Sequence, residues 1–251
     1  MRISADSMRK MKIILAIRNL TDCLKGVTYS VIFIMAFKSP LAFAQYDGPM
    51  RFSLFLPCMG SASFCGIRIL AEGRIEHDSG KKLQEFINRR KSELPPVTVL
   101  VFDSPGGSVF GATELGTVIR QNRLDTQQSR SYSHQVEFNV IDIVEDAKCA
   151  SSCVLAFVGG INRVIDPDAN FGIHQFSGAS GDIGDGATQV TVVALASYLE
   201  EMGISRELLD AASLVPPNRI YWLTPQQTKR LRVDNPLSGS CPPRNCCKAM
   251  M

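Results

Sequence analysis

The sequence KCASSCVLAFVGGINRVIDPDANFGIHQ, residues 148–175, determines how the rest of this chain is interpreted. Its apolar run, residues 154–158, is too hydrophobic to lie outside a core, and a Gly-Gly pair ends it. Two serines, Ser151 and Ser152, stand just before this run. The pattern predicts that they lie at the start of a buried helix, where free N–H groups point outward and the helix end is positive.

The second half of the same stretch brings a histidine toward those serines. Residues 163–165 and 171–173 have the composition of two short strands separated by a turn, and the second strand leads directly into His174. The sequence therefore predicts that a serine and a histidine are held by rigid neighbouring elements, an arrangement typical of half of an active site.

A second chemical element is the turn Ser104-Pro105-Gly106-Gly107, which follows an apolar strand and precedes a helical pattern. Paired glycines allow backbone N–H groups to approach a ligand closely and to adopt conformations that other residues avoid. At a strand-to-helix turn such groups form a natural oxyanion hole. The turn is weak evidence alone, since most turns of this kind are only tight connections.

Hydrophobic periodicity indicates alternating strands and helices from residue 45 onward. The polar segment Asn122–Gln135 has no core-forming pattern and is interpreted as a surface loop or insertion. Strands that alternate with helices predict an α/β domain with a mostly parallel sheet. Strands are expected over residues 52–56, 67–71, 97–102 and 136–144, and helices over residues 79–94, 109–123 and 187–202.

Charge gives no reason to expect a nucleic-acid partner. The formal net charge of the chain is +3, but residues 1–44 carry seven Lys and Arg residues and only two acidic ones, Asp6 and Asp22. The remaining residues therefore have a slight excess of acidic side chains. A protein body without a basic surplus lacks the electrostatic footprint of nucleic-acid binding.

The basic N-terminal segment has the layout of an export signal. An apolar stretch, Val27–Phe37, follows the positive region, and Ala42-Phe43-Ala44 fits a small-x-small cleavage site. Residues 1–44 are therefore predicted to be a signal peptide, with Gln45 as the mature N-terminus and a periplasmic or secreted location. The alternative is an uncleaved membrane anchor, although the stretch is shorter than the about 20 residues that span a bilayer.

Export makes disulfide bonds expected. Cys149 and Cys153 are four residues apart, which on a helical turn brings their Cα atoms within disulfide range; the alternative is two small buried apolar residues. Cys58 and Cys65 form a second candidate pair that would close a small loop. No His/Cys cluster has metal-site spacing, so neither a metal nor another cofactor is expected.

Three motifs in fixed order resemble the proteolytic subunit of Clp protease and its relatives in the crotonase superfamily, and within that group exported Clp-protease-like proteins. With flanking segments, the resemblance covers about residues 66–235, and it implies a ClpP/crotonase-like spiral of ββα units with a C-terminal helical extension. The domain is therefore expected over residues 45–235, followed by a poorly ordered tail over residues 236–251. The three motifs are VLVFDSPGGSVFGATELGTVI, CASSCVLAFVGG and FGIHQ.

The resemblance also implies roles for individual residues. Ser151 matches the nucleophile and His174 the general base, while the Gly106-Gly107 turn and the N–H of Ser152 match the oxyanion hole. Ser151 is selected by matching Ala-Ser-Ser-Cys here to Ala-Ser-Met-Gly in the family, and Ser152 remains the alternative nucleophile. Cys153 replaces the family's glycine in this motif.

One family residue has no counterpart. Where the family carries the aspartate that orients the histidine, this chain has Leu-Val-Pro-Pro-Asn-Arg, residues 214–219, without a carboxylate. Asn218 is the nearest polar substitute, because an amide can also orient an imidazole. Asp210 is a second, weaker candidate.

Two hypotheses from different functional classes follow. The first is an exported serine peptidase that acts on peptides or unfolded proteins, assembles as a homo-oligomer and needs no ATP-dependent unfoldase. The second is a non-catalytic binding or scaffold protein with the same fold. Under the second hypothesis, Ser151 is only a helix N-cap and His174 a core histidine satisfied by a backbone carbonyl.

Overall fold

The computed structural model describes residues 46–55, 66–137, 140–176 and 185–235 of the chain. The predicted signal peptide, the candidate cysteine pair Cys58 and Cys65, and the predicted C-terminal tail lie outside these ranges. Within them, no helix combines the length and the apolar character needed to cross a membrane.

A five-stranded sheet forms one layer of the fold. Its first strand pairs antiparallel with the second, and all other neighbours are parallel. The strands occur in the spatial order β1-β2-β3-β4-β8. Their bounds are β1 Arg51–Phe55, β2 Arg68–Glu72, β3 Val99–Asp103, β4 Asp125–Gln128 and β8 Arg163–Ile165.

A second, three-stranded sheet carries the residues of interest. In it β9 lies in the middle, parallel to β7 on one side and antiparallel to β10 on the other. The bounds are β7 Lys148–Ala150, β9 Asn170–Ile173 and β10 Tyr221–Trp222. The two remaining strands, β5 Tyr132–Glu137 and β6 Val140–Val144, pair antiparallel as a separate hairpin.

Six helices connect and cover the described strands: α1 Ser79–Arg90, α2 Val109–Gln121, α3 Cys153–Phe157, α4 Asp185–Glu201, α5 Glu207–Ser213 and α6 Pro225–Arg230. After α3 the chain adds β8 to the large sheet and β9 to the small one before it enters α4. Two successive strands that join different sheets, followed by a helix, make one ββα unit. The predicted α/β class is confirmed, as is the helical C-terminal part.

The core lies between the two sheets and the helices. Three fully buried phenylalanines come from different elements: Phe102 from β3, Phe157 from α3 and Phe171 from β9. The ring centroid of Phe157 is 6.2 Å from that of Phe102 and 5.0 Å from that of Phe171. Burial of each such side chain contributes about 2–3 kcal/mol, so this cluster fixes the short helix α3 against both sheets.

The polar segment Asn122–Gln135 was expected to be a surface loop, and this expectation is wrong. The segment contains β4, which pairs with β3 and β8 inside the large sheet, and four of the segment's polar side chains are buried. Thr126 Oγ1 donates to the Phe157 carbonyl oxygen at 2.9 Å, and Gln127 Nε2 donates to Ser129 Oγ at 3.0 Å. Such hydrogen bonds make burial of polar residues tolerable, and hydropathy cannot reveal them.

The single strand expected over residues 136–144 is also corrected. The chain reverses within it, so residues 132–137 and 140–144 form the two arms of the β5–β6 hairpin. Its register shifts between Gln135 and Glu137. Such an irregularity interrupts strict alternation of side chains and makes the turn hard to see in the sequence.

Candidate active site

Ser151 and His174 follow the carboxyl ends of two adjacent parallel strands. Ala150, the last residue of β7, pairs with Gly172 of β9, so the chain leaves both strands at the same edge of the sheet. The N–H of Ser151 donates to the carbonyl oxygen of Gly172 at 2.9 Å. The sheet register therefore brings together the serine and the histidine that the sequence analysis selected.

The backbone of Ser151 is in a left-handed conformation, with φ +60°. A side chain other than glycine adopts this region rarely, and it persists where the surrounding structure enforces it, typically at functional sites. A nucleophile at a sharp strand-to-helix turn has the same property, because the turn lifts its hydroxyl out of the backbone. Ser152 has ordinary helical angles, φ −61° and ψ −17°. Of the two serines, only Ser151 has the strained geometry.

A disulfide bond between Cys149 and Cys153 closes the turn around both serines. The two Cα atoms are 5.3 Å apart, and both cysteines are fully buried. One cysteine ends up in β7 and the other in α3, so the bond joins the strand to the helix on either side of Ser151. The expected disulfide is present, and it restrains the left-handed residue from both directions.

Helix α3 contains only five residues, Cys153–Phe157. The short buried helix expected behind the serines is present and ends before the Gly-Gly pair. A helix of this length has few aligned peptide dipoles, and the effect falls off within one turn. Individual N–H groups therefore matter more at this site than a helix dipole.

The Gly106 turn packs directly against Ser151. Gly106 has φ +94°, and a Cβ atom placed on it would lie 2.7 Å from both the Ser151 Cβ and the Ala150 carbonyl oxygen. Only glycine fits this contact. The N–H of Gly106 donates to Ser104 Oγ at 3.1 Å, and that hydroxyl donates to the Gly73 carbonyl oxygen at 2.7 Å. Gly106 therefore provides space beside Ser151, while its own N–H is used in holding the turn.

Two N–H groups, those of Gly107 next to Gly106 and of Ser152 next to Ser151, are the remaining candidate oxyanion donors. Gly107 has φ +149°, and a Cβ atom there would lie 2.1 Å from the Ile75 carbonyl oxygen. Within the described ranges, the N–H of Gly107 and that of Ser152 donate to no protein acceptor. The part of the predicted oxyanion hole that can donate thus consists of Gly107 and Ser152.

Ser151, Ser152 and His174 line one cleft that is partly open to solvent. Its remaining walls are apolar and come mainly from the helices that follow β9. The sequence predicts the helical pattern of α4 but does not connect it with the serines, because only the tertiary fold brings these helices over the sheet edge. The apolar residues of the cleft are Val109, Val154, Leu155, Ile173, Phe176, Leu195, Leu199, Leu208, Leu209 and Ala212.

Neither candidate for the third triad residue, which would orient His174, is paired with it. Asn218 and Asp210 are both exposed, and neither makes a hydrogen bond to the imidazole. His174 Nδ1 is buried without a hydrogen-bond partner, and Ser151 and His174 are not hydrogen-bonded to each other. Among the described residues, no three His, Cys, Asp or Glu side chains come together as metal ligands.

The helix behind the cleft is held by a buried tyrosine. Tyr198 Oη donates to the Leu155 carbonyl oxygen at 2.6 Å, which joins α4 to α3. Burial raises the pKa of Tyr198, so its hydroxyl stays protonated and able to donate.

The fold and the cleft define a mixed α/β protein with a serine and a histidine at one sheet edge. Neither protein-family models nor curated proteins give a match to this sequence. Solved structures with a similar backbone fold include a mutant of 1510-N, a membrane-bound stomatin-specific protease. It has 15% identity over 66% of this chain and 75% of its own, with a TM-score of 0.45.

ClpP1 from Listeria monocytogenes is similar over 66% of this chain and 88% of its own, with 17% identity and a TM-score of 0.46. A mutant of the same protein has 15% identity over the same shares and a TM-score of 0.48. Similarities at this level concern the course of the backbone and assign no role to Ser151 or His174.

Proposed function

We propose that this protein is a serine hydrolase, with Ser151 as nucleophile and His174 as general base. The observation that carries the proposal is the left-handed backbone of Ser151, clamped by a disulfide in a cleft shared with His174. A serine that merely caps a helix needs neither a left-handed backbone nor a disulfide clamp. Ser152, which directly precedes α3, makes no side-chain capping hydrogen bond.

In the acylation step, His174 Nε2 takes the proton of Ser151 Oγ while the oxygen attacks the substrate carbonyl carbon. The new C–O bond forms as the carbonyl π pair moves onto oxygen. The N–H groups of Gly107 and Ser152 are the donors for this oxyanion. When the tetrahedral intermediate collapses, the C–N bond breaks and His174 gives its proton to the leaving amine.

Deacylation repeats these steps with water. His174 takes a proton from a water molecule that attacks the acyl carbon, and the proton then returns to Ser151 Oγ as the carboxylic acid leaves. The Ser151–His174 hydrogen bond is absent in the free protein. Catalytic hydrogen bonds are often long in free enzymes and shorten when substrate binds.

The proposed substrates are peptides or unfolded proteins. The aliphatic walls of the cleft suit an apolar group on the acyl side of the bond that is cleaved, because such a group gains free energy on leaving water. We further propose that the protein acts outside the cytoplasm, after cleavage near Ala44, as a homo-oligomer and without an ATP-dependent unfoldase. N-terminal sequencing of exported protein should begin at or near Gln45, and light scattering should give more than a monomer mass.

A fluorophosphonate probe tests the chemistry, because it needs only an activated serine beside oxyanion donors. Wild-type protein should be labelled at Ser151, and both Ser151→Ala and His174→Ala should lose the label. Asp210→Ala is the control, since Asp210 is exposed and unpaired with His174. The hydrolase proposal fails if the oxidised wild type takes up no label, or if Ser151→Ala is labelled as well as wild type.

The alternative is a binding protein that uses the cleft without chemistry. The observation that favours it is the unpartnered His174 Nδ1, since nothing in the described chain holds the imidazole in a catalytic orientation. Under this alternative, apolar peptides bind with equal affinity to wild type and to Ser151→Ala, and neither protein is labelled. The labelling experiment therefore separates the two functions.

A further inference from the structure

Two polar atoms of the cleft residues are buried without any hydrogen-bond partner: Ser152 Oγ and His174 Nδ1. In the described part of the chain, only two other buried side-chain atoms share this condition, Arg120 Nε and Gln128 Oε1, and neither lies at the cleft. A buried polar group without a partner is destabilising, because it has lost its hydrogen bonds to water and gained none in return. Two such groups in the wall of one cleft therefore require an explanation.

The chemistry of the imidazole restricts what that explanation can be. If Nε2 is to accept the proton of Ser151, the neutral ring must carry its own hydrogen on Nδ1. That hydrogen needs an acceptor, because otherwise the opposite tautomer is favoured and the base is lost. Since Nδ1 is covered by protein, bulk water does not reach it, and the acceptor has to come from the chain.

Ser152 is in the position to be that acceptor. The last register pair of the parallel strands is Ala150 with Gly172, and Ser152 and His174 each lie two residues further along. Ser152 is only 4% exposed, and its hydroxyl does not cap α3. A hydroxyl oxygen accepts hydrogen bonds through two lone pairs and rotates freely about its Cα–Cβ bond.

We propose that Ser152 is the positioning residue for His174, with its hydroxyl accepting the Nδ1–H and so replacing the carboxylate of a triad. This inference rests on the proposed function, because only a catalytic His174 needs a fixed tautomer. It requires a side-chain rotation that brings the two atoms within hydrogen-bonding distance. Ser152 then acts through its hydroxyl on His174 and through its N–H on the oxyanion.

The tautomer can be measured without any catalytic activity. The chain has three histidines, His77, His134 and His174, so a ¹⁵N-histidine spectrum is simple, and His174→Gln assigns the relevant signals. In the neutral ring of the wild-type protein, the proton should be on Nδ1. Ser152→Val should move it toward Nε2, whereas Ser152→Thr should keep it on Nδ1. Valine and threonine add similar volume at this buried site, so only the hydroxyl differs between them.

Labelling kinetics give the functional readout. A neutral hydrogen bond corresponds to roughly a tenfold effect, so Ser152→Val should be labelled about tenfold more slowly than Ser152→Thr. Ser213→Ala removes an exposed hydroxyl and should be labelled at the wild-type rate. The positioning role is overturned if Ser152→Val and Ser152→Thr share one tautomer and one rate. If wild type is never labelled but the tautomer depends on the hydroxyl, the hydrolase proposal alone fails.

Discussion

Gly106 and Ser151 are in direct contact: a methyl group on Gly106 would lie 2.7 Å from the Ser151 Cβ. The two residues are 45 positions apart in the sequence and follow the ends of different strands, β3 and β7. The N–H of Ala150 donates to the Ser104 carbonyl oxygen at 3.1 Å and fixes this approach. The contact makes the glycine turn and the serine turn a single unit.

Gly106→Ala should therefore abolish labelling of Ser151 and destabilise the fold. The substitution combines a left-handed backbone penalty of about 1–2 kcal/mol with an overpacking cost of about 1–3 kcal/mol against Ser151 and Ala150. Urea unfolding and the labelling rate measure the two effects.

The matched control is Gly203→Ala. Gly203 also has a positive φ, +72°, but a Cβ atom there meets nothing within 4 Å. This variant should show only the backbone penalty and should be labelled normally. Equal losses of stability and labelling in the two variants would mean that the Gly106–Ser151 contact has no special role.

Removing the disulfide should slow labelling of Ser151 strongly while the protein stays folded. Closing a loop as short as Cys149–Cys153 stabilises a protein by about 2 kcal/mol in the chain-entropy account. Without the bond, the left-handed state of Ser151 loses its restraint from β7 and α3. The Cys149→Ala, Cys153→Ala double variant should thus remain folded by circular dichroism but react slowly with the probe.

Treatment with a reductant provides the comparison. It should slow labelling of the wild type, while leaving the double variant unchanged, because the variant no longer has this bond. Mass mapping under non-reducing conditions should find Cys149 linked to Cys153. Wild-type labelling that is insensitive to reduction of this bond would argue against the clamp.

Arg163 should be one of the most sensitive positions for stability. Arg163 is 3% exposed, and its guanidinium donates to the carbonyl oxygens of Gly160, Arg232 and Val233 at 2.9–3.2 Å. Burial, with a contribution from the nearby Arg120, lowers its pKa to about 10, so it is still charged at neutral pH. Arg163→Met should lower the free energy of unfolding by about 3 kcal/mol, because it leaves buried carbonyls unpaired.

The control for Arg163 is Arg89→Met, in which an exposed arginine with a 3.9 Å ion pair to Glu85 is lost. Surface substitutions of this kind change stability by about 0.5 kcal/mol or less. Urea titrations should separate the two variants clearly. Similar losses would mean that the buried hydrogen bonds of Arg163 contribute little.

Asp234→Asn should change the pH dependence of stability. Burial raises the pKa of Asp234 above its usual value of 3.8, against the effect of a hydrogen bond from the Ile165 N–H at 3.3 Å. The folded state therefore binds this proton more tightly than the unfolded state, and stability falls as pH rises through that window. Asparagine stays neutral and can still accept the Ile165 hydrogen bond.

The melting temperature of Asp234→Asn relative to wild type should thus be higher at pH 7 than at about pH 3. Asp47→Asn, at an exposed position, serves as the comparison for a general change in charge. A difference that is constant between the two pH values would show that ionisation of Asp234 has no influence on folding.

The sequence predicted the secondary structure correctly wherever hydrophobic periodicity and burial coincide. The strands β2 and β3 and the helices α1, α2 and α4 occur within a few residues of their predicted bounds. It failed at β4, whose side chains are polar and buried. There the hydrogen bonds to Phe157 and Ser129 compensate for polarity, and these partners become visible only after folding.

The sequence by itself determined the α/β class, the two serines beside a buried helix, His174 at the end of a strand, and the glycine turn, because each is a local pattern in the chain. Only the tertiary structure decided which of these groups meet. Parallel register aligns the ends of β7 and β9, the left-handed backbone distinguishes Ser151 from Ser152, and the expected Asn218 makes no hydrogen bond to His174. These relationships depend on distances between residues far apart in the chain, which composition and spacing do not specify.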